Sequence, residues 1–382
     1  MEHIKTDLCI IGAGSGGLSI AAGAVQMGAR VVLIEGAEMG GDFLNAGCVP
    51  SKALIAAAKH AHAMTTGGPF GITPSTPQID FGAVMDHVAR VVDTIAPVDS
   101  QERFEGLGVR VIREWAKFSG PKEVIAGNYR ITARRFVLAT GSRPFVPPIP
   151  GVETVPYLTN ETIFAQRERP AHLIVIGGGP IGMEMAQAHR RLGCQVTVIE
   201  GAKALGRDDP ETAAVVLEKM RAEGVAVMEE APVVRIGGAE GAIEVEIKDG
   251  RILKGSHLLM AVGRQVSLEG LGLEKAGVEY SRKGVTVGAD LRSSNRRVYA
   301  VGDAAGGLQF THVAGYHAGV VIRQMLFGLP AKARTAHIPW ATYTDPELAQ
   351  IGPTEAEARK LHGDALKVIR FEYAENDRAQ TQ

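Results

Sequence analysis

A unit of strand, glycine-rich turn, helix, strand and terminal acid occurs twice in this 382-residue chain, and it restricts the fold more than any other feature. In the first copy, an apolar run at residues 7–11 leads into the GxGxxG sequence of Gly12, Gly14 and Gly17, and a second apolar run ends at Glu35. Short apolar runs bounded by glycine are typical of buried parallel strands, and the segment between them predicts a helix to about residue 27.

The second copy has the same order of elements. An apolar run at residues 173–176 precedes a second GxGxxG sequence, formed by Gly177, Gly179 and Gly182. A predicted helix to about residue 192 follows, and a further run that starts at Gln195 ends at the acid Glu200. The chain is therefore predicted to be an α/β protein with two Rossmann-like units.

Each part of this unit has a physical role in holding a dinucleotide. The first glycine makes a tight turn, the second lets the backbone approach a pyrophosphate, and the third lets the helix pack closely on the strand. The helix N-terminus offers N–H donors to phosphate, and the terminal acid accepts hydrogen bonds from ribose. Two copies indicate two bound dinucleotides, or one dinucleotide and a second unit that no longer binds one. A flavin and a nicotinamide are the chemically sensible pair because hydride passes between them. The alternative is two βαβ units that bind no nucleotide.

Charge and cysteine content exclude several other classes. A net charge of −1 leaves no basic field to attract nucleic acid or acidic lipid. Three cysteines, at positions 9, 48 and 194, are too few for a disulfide scaffold and favour a reducing compartment. Residues 8–34 are apolar but are interrupted by glycines and by Gln26 and Arg30, so they do not predict a membrane span. The N-terminus does not resemble a signal peptide, and we expect a cytoplasmic protein.

Residues 40–52 read GGDFLNAGCVPSK and resemble the redox-active segment of the flavin disulfide reductases, the family of dihydrolipoamide dehydrogenase, glutathione reductase and mercuric reductase. The family pattern is GGxCxNxGCxPSK, with two cysteines that form a disulfide. Cys48 occupies the second cysteine position, whereas Phe43 occupies the first. A phenyl ring cannot form a disulfide. The simplest interpretation is that the apolar side chain of Phe43 fills the space that a cysteine thiol would occupy and has no active role.

Other segments resemble the same family, so the resemblance covers nearly the whole chain. Residues 136–142 resemble its ATG segment beside FAD, residues 258–264 the strand returning from the nicotinamide domain, and residues 298–304 its second flavin fingerprint, in which Asp303 would accept a hydrogen bond from the ribityl chain. The resemblance implies FAD on the first unit and NAD(P) on the second. Besides the two sets of turn glycines and the two acids, the cofactor-binding positions it implies are Gly41, Ala139, Thr140, Gly141, Gly263, Arg264, Gly302 and Asp303.

The resemblance also implies three catalytic positions. Cys48, at a helix start where a thiolate is favoured, would face the flavin, Lys52 would lie near the flavin ring, and Glu184 would pair with Lys52. The alternatives are a buried inert cysteine and an ordinary lysine and glutamate at helix N-termini. Without a thiol at position 43, Cys48 could cycle only through a sulfenic acid or a mixed disulfide.

Further residues bear on cofactor choice and metal binding. Glu200 favours NAD(H) over NADP(H) because a carboxylate repels a 2′-phosphate, although Lys203 and Arg207 would counteract it. Gly36, next to Glu35, would leave room for the adenosine. The pairs His60 with His62 and His312 with His317 do not have the spacing of metal ligands, and we expect no metal site.

The resemblance suggests three domains. We expect an FAD-binding domain at residues 1–148 and 266–333, an NAD(P)-binding domain at 149–265, and an incomplete dimerisation domain at 334–382. In the last of these, residues 342–343 and 366–371 are predicted to be strands, and residues 354–362 a helix capped by Thr354. The family's general acid–base His–Glu pair has no counterpart here, so we expect either a truncated chain or a reduced variant of the domain.

The function expected from these observations is that of a flavoprotein oxidoreductase. It would move hydride from NAD(P)H to FAD and on to a small-molecule acceptor, as in dihydrolipoamide dehydrogenase or mercuric reductase, but without the paired redox cysteine. The alternatives are a disulfide-independent diaphorase or transhydrogenase activity, and a flavin-binding protein without turnover. A homodimer is expected if the dimerisation domain is complete, and no membrane or nucleic-acid partner is expected.

Overall fold

The computed structural model describes residues 1–381, so Gln382, the last residue of the expected dimerisation domain, lies outside the described residues. The strands, in chain order, are β1 (Glu2–Ile11), β2 (Val31–Ile34), β3 (Arg110–Ile112), β4 (Ala116–Gly120), β5 (Glu123–Ala126), β6 (Tyr129–Leu138), β7 (Ser142–Pro144), β8 (His172–Ile176), β9 (Gln195–Ile199), β10 (Ala226–Met228), β11 (Val233–Ala239), β12 (Ala242–Ile247), β13 (Ile252–Gly255), β14 (His257–Met260), β15 (Arg264–Val266), β16 (Tyr280–Ser281), β17 (Gly284–Val285), β18 (Val298–Ala300), β19 (Pro339–Thr342) and β20 (Leu348–Ile351).

Helices alternate with strands in two parts of the chain, at residues 2–34 and 172–228, as α/β units require. They are α1 (Ser15–Gln26), α2 (Gly41–Asn45), α3 (Cys48–Ala63), α4 (Phe81–Ile95), α5 (Gln101–Gly106), α6 (Pro180–Arg191), α7 (Pro210–Ala222), α8 (Leu273–Ala276), α9 (Thr311–Phe327), α10 (Glu355–His362) and α11 (Asp377–Gln380). Both predicted βαβ units are confirmed: β1, α1 and β2 form the first, and β8, α6 and β9 form the second.

The first unit lies in a seven-stranded sheet with the order β3-β2-β1-β6-β5-β4, in which β18 also pairs with β6. Strand β6 is long enough to pair antiparallel with β5 along its first residues and parallel with β18 along its last three. Strands β1, β2 and β3 are parallel to one another. Their carboxyl ends therefore meet at one edge, which is where open α/β sheets bind ligands.

The second unit lies in a separate parallel sheet with the order β10-β9-β8-β14. Residues 173–176 of β8 are all buried, as expected for a parallel strand covered on both faces. Strands β11, β12 and β13 form an antiparallel sheet of their own beside it. Helix α6 packs its buried face towards helix α3, which begins at Cys48, so the two units meet at the segment that carries the predicted redox residue.

The C-terminal part of the chain corrects one prediction. Helix α10 begins after Thr354 with a complete capping box, as predicted. The strand predicted at residues 342–343 is β19, which ends at Thr342 and pairs antiparallel with β20. The strand predicted at residues 366–371 does not form: this stretch has no strand pairing, and Ile369 and Phe371 are 78% and 72% exposed. A strand needs a neighbouring strand to complete its hydrogen bonds, and no described strand pairs with this stretch.

Among the helices of residues 1–381, none is both long enough and apolar enough to cross a membrane. The same residues contain no group of three or more histidine, cysteine, aspartate or glutamate side chains placed to hold a metal ion.

Candidate active site

The two glycine-rich turns have the same geometry. Gly12 and Gly177, the first glycines, have φ angles of +104° and +113°, which side-chain-bearing residues rarely adopt. A Cβ atom on Gly12 would lie 2.3 Å from the carbonyl oxygen of Ala139, and one on Gly177 would lie 2.3 Å from that of Ala261. Both turns therefore require glycine for two independent reasons, conformation and space.

The third glycine of each turn brings helix and strand together. A Cβ atom on Gly17 would lie 1.9 Å from the carbonyl oxygen of Gly12, and one on Gly182 would lie 2.0 Å from that of Gly177. The second glycines differ, because a Cβ on Gly14 would meet only the Cα of Gly41 at 4.0 Å, and one on Gly179 would meet nothing within 4 Å. Their backbones are thus left open to a ligand.

The terminal acids are also held alike. One carboxylate oxygen of Glu35 accepts from the N–H of Ala13 at 2.6 Å and the other from that of Ala37 at 2.8 Å. Glu200 accepts from Gly178 at 2.7 Å and from Ala202 at 2.8 Å. Each oxygen retains acceptor capacity for a ribose hydroxyl. The repeat seen in the sequence is therefore a repeat of the site geometry as well.

A cavity of about 1030 Å³ runs along the carboxyl edge of the first sheet. Most of the predicted site residues line it: Gly12, Gly14, Glu35, Gly41, Cys48, Lys52, Ala139, Thr140, Gly141, Glu184, Arg264, Gly302 and Asp303. The remaining predicted residues do not line it, and they are Gly17, Gly177, Gly179, Gly182, Glu200 and Gly263. The structure thus brings the first nucleotide turn together with the three predicted catalytic positions. The glycines of the second turn do not line the cavity, although Pro180 and Ile181 of that turn do.

Lys52 and Glu184, which both line this cavity, form an ion pair. Lys52 Nζ lies 2.9 Å from Glu184 Oε2, and the carboxylate side chain is only 6% exposed. The other oxygen, Oε1, accepts the backbone N–H of Tyr343 at 2.9 Å, and the Tyr343 ring lies 4.5 Å from Lys52 Nζ, a cation–π contact. Residues from α3, α6 and the segment after β19 therefore fix the position of one lysine charge.

Cys48 is half-buried at the first position of α3, and Phe43, on α2, lines the same cavity. The Cys48 thiol lies 3.5 Å from the hydroxyl of Thr311, at the start of α9. No second thiol is near it, because the other two cysteines are buried elsewhere, in β1 and beside β9. The arrangement provides one thiol and the ring of Phe43 in the same cavity.

Burial raises the pKa of Asp303, and the neighbouring Asp42 raises it further, whereas a hydrogen bond from Ser142 and the charge of Arg264 lower it. The Ser142 hydroxyl lies 2.5 Å from Asp303 Oδ2 and accepts from Arg264 Nε at 2.7 Å. Arg264 also lies 3.1 Å from Asp42. The sequence analysis missed Ser142 and Asp42, since their role depends on contacts between segments that are far apart in the chain.

The cavity residues fit a flavin dinucleotide. Thr140 lines the cavity, and its buried hydroxyl has no hydrogen-bond partner among the described residues. A bound ligand would supply that missing partner. The backbone at Gly14 is open, Glu35 retains acceptor capacity, and the Asp303 carboxyl also lines the cavity. Polar groups from four segments of the chain thus converge on one cavity.

Gly36 lies against an aromatic ring in this cavity. We expected Gly36 to leave room for an adenosine, and the indole of Trp115 occupies the space that a side chain at position 36 would take. A Cβ atom on Gly36 would lie 2.4 Å from Cδ2 of that indole. Trp115 follows β3, the parallel neighbour of β2, and the sequence analysis did not identify it because nothing local in the sequence relates it to Gly36.

Cys9, Cys194 and three of the histidines singled out in the sequence contact other parts of the protein. Burial raises the pKa of Cys9 and raises that of Cys194 to about 12, so both are inert core thiols. His317 accepts the backbone N–H of Gly302 at 3.1 Å, and His312 contacts the carbonyl oxygen of Pro339 at 2.7 Å. His62 lies 3.6 Å from Glu223.

Comparison with known proteins agrees with this geometry. Residues 6–318 match the pyridine nucleotide-disulphide oxidoreductase family, and residues 338–382 match the dimerisation domain of that family. The chain is 34% identical to a mercuric reductase of Streptomyces lividans over 93% of this chain and 77% of the relative. It is 32% identical to a dihydrolipoyl dehydrogenase of Bacillus subtilis over 97% of this chain and 82% of the relative.

Among solved structures, the flavoprotein disulfide reductase RclA from Escherichia coli superposes with a TM-score of 0.86 at 29% identity. The superposition covers 98% of this chain and 83% of RclA. The predicted fold class is therefore confirmed. With two dinucleotide turns, a flavin-sized cavity and matches along almost its whole length, the chain belongs to the pyridine nucleotide-disulphide oxidoreductase family, whose members depend on FAD and NAD(P)H.

Proposed function

We propose that this protein is an oxidoreductase that passes hydride from NAD(P)H to FAD and then reduces a small-molecule acceptor without a dithiol. The observation that carries the proposal is the Lys52–Glu184 ion pair, which lies in the same cavity as the first nucleotide turn and is built partly from the helix of the second. One charged pair thus connects the two nucleotide-binding units.

When bound, FAD and NAD(P)H supply the hydride chemistry. The backbone at Gly14 and the Glu35 carboxylate would hold the pyrophosphate and a ribose, and Asp303 would hold the ribityl chain. Lys52 would place a positive charge where negative charge accumulates at the reduced ring. Glu184 keeps that lysine in position, since its two oxygens bind Lys52 and the backbone of Tyr343.

The second nucleotide site favours NAD(H) over NADP(H). The Glu200 carboxylate is held by two backbone N–H groups, so it cannot readily turn away from a 2′-phosphate. Lys203, which would attract such a phosphate, lies 3.2 Å from Glu230. Gly177, Gly179 and Gly182 would hold the nicotinamide dinucleotide as their counterparts hold FAD.

The acceptor would receive electrons by a route that does not need a disulfide. Cys48 has Thr311 rather than a second thiol beside it, and Phe43 lines the cavity where the family has a cysteine. This arrangement supports diaphorase or transhydrogenase activity over reduction of a disulfide or of mercuric ion. Lipoamide and mercuric ion are substrates named by the relatives rather than by any feature of this cavity.

We further propose the domain limits and assembly predicted from the sequence: FAD binding by residues 1–148 and 266–333, NAD(P) binding by 149–265, and a homodimer formed through residues 334–382. The match to a dimerisation domain supports the homodimer. A cytoplasmic location stays a prediction.

Anaerobic titration of the purified yellow protein with NADH tests the proposal. We expect loss of the oxidised flavin absorbance, followed by reoxidation with a quinone or dye but not with lipoamide. A flavin that remains oxidised in excess NADH would contradict the enzyme assignment and support a flavin-binding protein without turnover. Reduction of lipoamide would contradict the dithiol-independent route while leaving hydride transfer intact.

A further inference from the structure

Trp115 lines the cavity, yet this residue is 76% exposed to solvent, which is unusual for a tryptophan. The second tryptophan in the chain, Trp340, is half-buried and donates its ring N–H to Asp208 at 2.9 Å. Trp115 makes no comparable hydrogen bond in the described chain. A large aromatic surface exposed at a cavity wall indicates that something covers it.

Gly36 lies under one face of this indole. A Cβ atom on Gly36 would lie 2.4, 2.7 and 2.8 Å from Cδ2, Cε3 and Cε2 of Trp115. Cδ2 is a ring-fusion carbon, bonded to three ring atoms in the ring plane, so a position nearest to it must lie over the face. Gly36 thus supports one face of the indole, and the exposed area belongs to the rest of the ring.

The position of Trp115 in the cavity identifies the part of a ligand that it would meet. Glu35, the predicted ribose acceptor, is adjacent in sequence to Gly36, and both line the cavity with Trp115. Lys52 and Glu184, the predicted flavin-ring residues, come from α3 and α6 instead. The base attached to the ribose at Glu35 is adenine, and adenine has two flat faces that stack on aromatic side chains.

We propose that Trp115 binds the adenine of FAD by stacking, with Gly36 supporting the opposite face of the indole. The inference rests on the proposed function, because it requires FAD in this cavity. It adds a residue that no cofactor motif contains, and it explains why Gly36 carries no side chain.

The test compares FAD with FMN, which has the flavin but no adenosine, on the full-length protein after removal of flavin. The variants are Trp115→Ala, Trp115→Phe and the control Phe70→Ala, which removes a 65% exposed aromatic ring outside the cavity. Dissociation constants are measured by equilibrium dialysis of the flavin. Quenching of tryptophan fluorescence is recorded in parallel, since Trp115→Phe leaves Trp340 as the sole tryptophan.

We expect Trp115→Ala to weaken FAD binding by roughly 10-fold or more, and FMN binding by less than about 2-fold. Trp115→Phe should recover most of the FAD affinity, and Phe70→Ala should bind both flavins as the parent does. FAD should quench the parent fluorescence strongly and that of Trp115→Phe weakly. NAD⁺ affinity, which depends on the second turn, should not change.

Two results would overturn the inference while the proposed function stands: unchanged FAD affinity in Trp115→Ala, or an equal loss for FAD and FMN. Circular dichroism of each variant separates these results from misfolding, which is not expected at so exposed a side chain. If the parent protein binds neither flavin, the proposed function and the inference are both wrong.

Discussion

The side chain of Gln187 is hydrogen-bonded to both backbone polar groups of Asp345. Its Nε2 donates to the Asp345 carbonyl oxygen at 2.9 Å, and its Oε1 accepts the Asp345 N–H at 2.8 Å. Arg191 also binds this residue, at 2.9 Å from the carboxylate. Glu184, Gln187 and Arg191 are spaced i, i+3 and i+7 on α6, so they lie on one helix face. This face binds the segment at residues 343–345, in which the backbone N–H of Tyr343 donates to Glu184.

Gln187→Leu should destabilise the protein by about 1–3 kcal/mol, because the Asp345 N–H and carbonyl lose their partners at a partly buried position. The free energy of unfolding, measured in urea, checks this. Gln26→Leu is the matched control, since Gln26 is an exposed glutamine on α1. Equal effects of the two substitutions would show that the contact with Asp345 contributes nothing.

Phe43→Cys should restore a redox-active dithiol with Cys48. Thiols are counted in the denatured protein before and after reduction by NADH. The parent should show its three thiols in both states, whereas the variant should gain two thiols on reduction, as its disulfide opens. Phe43→Ser, which removes the ring without adding sulfur, should behave as the parent does. A thiol count in Phe43→Cys that NADH does not change would show that position 43 is not the limiting difference.

Glu200→Gln should shift the ratio of kcat/KM for NADPH to that for NADH upwards by roughly 10-fold, because it removes the charge that repels a 2′-phosphate. A glutamine side chain retains one of the two oxygens that accept hydrogen bonds from the backbone N–H groups of Gly178 and Ala202. In contrast, Glu230→Gln should change the ratio by less than about 3-fold, since its ion pair with Lys203 is exposed. A larger effect at Glu230 than at Glu200 would assign the preference to Lys203 instead.

Acid should destabilise the protein through His189. Complete burial lowers the pKa of His189 to about 4 from the ordinary 6.5, although its hydrogen bond to the Met185 carbonyl oxygen opposes the shift. Because the folded pKa is lower, the unfolded chain binds the proton first, so this contribution is full above about pH 6.5 and is lost as the pH falls towards 4. It amounts to on the order of 3 kcal/mol.

His189→Phe should flatten this dependence, which urea midpoints at several pH values between 7 and 4.5 can measure. The Nε2 atom of His189 has no hydrogen-bond partner among the described residues, so a phenyl ring removes only the bond between Nδ1 and the Met185 carbonyl oxygen. His60→Gln, at an exposed position, should retain the slope. If His189→Phe retains it too, other titrating groups cause the acid sensitivity.

The local parts of the site were predictable because their causes lie within about thirty residues of chain. The φ angle of Gly12, the close approach of Gly17 to the Gly12 carbonyl oxygen and the acid at Glu35 all belong to one βαβ unit, and the same holds at Gly177, Gly182 and Glu200. The capping box at Thr354 is likewise encoded by four consecutive residues. Such features follow from backbone sterics and hydrogen-bonding capacity, which a sequence pattern states directly.

Contacts between distant segments were predictable only where a resemblance supplied them. The Lys52–Glu184 pair joins residues 132 positions apart, and it was expected from the family pattern alone. The strand predicted at residues 366–371 failed because its apolar residues are compatible with a strand but cannot provide a neighbour to pair with.

The sequence by itself determined the two nucleotide-binding units, the single thiol at Cys48 and the aromatic ring at Phe43. Tertiary structure alone decided that the indole of Trp115 covers Gly36, that Gln187 holds Asp345, and that Ser142 lies between Arg264 and Asp303. The physical reason is distance along the chain. Steric and hydrogen-bonding demands within one unit recur wherever the pattern recurs, whereas contacts between units depend on how complete elements pack.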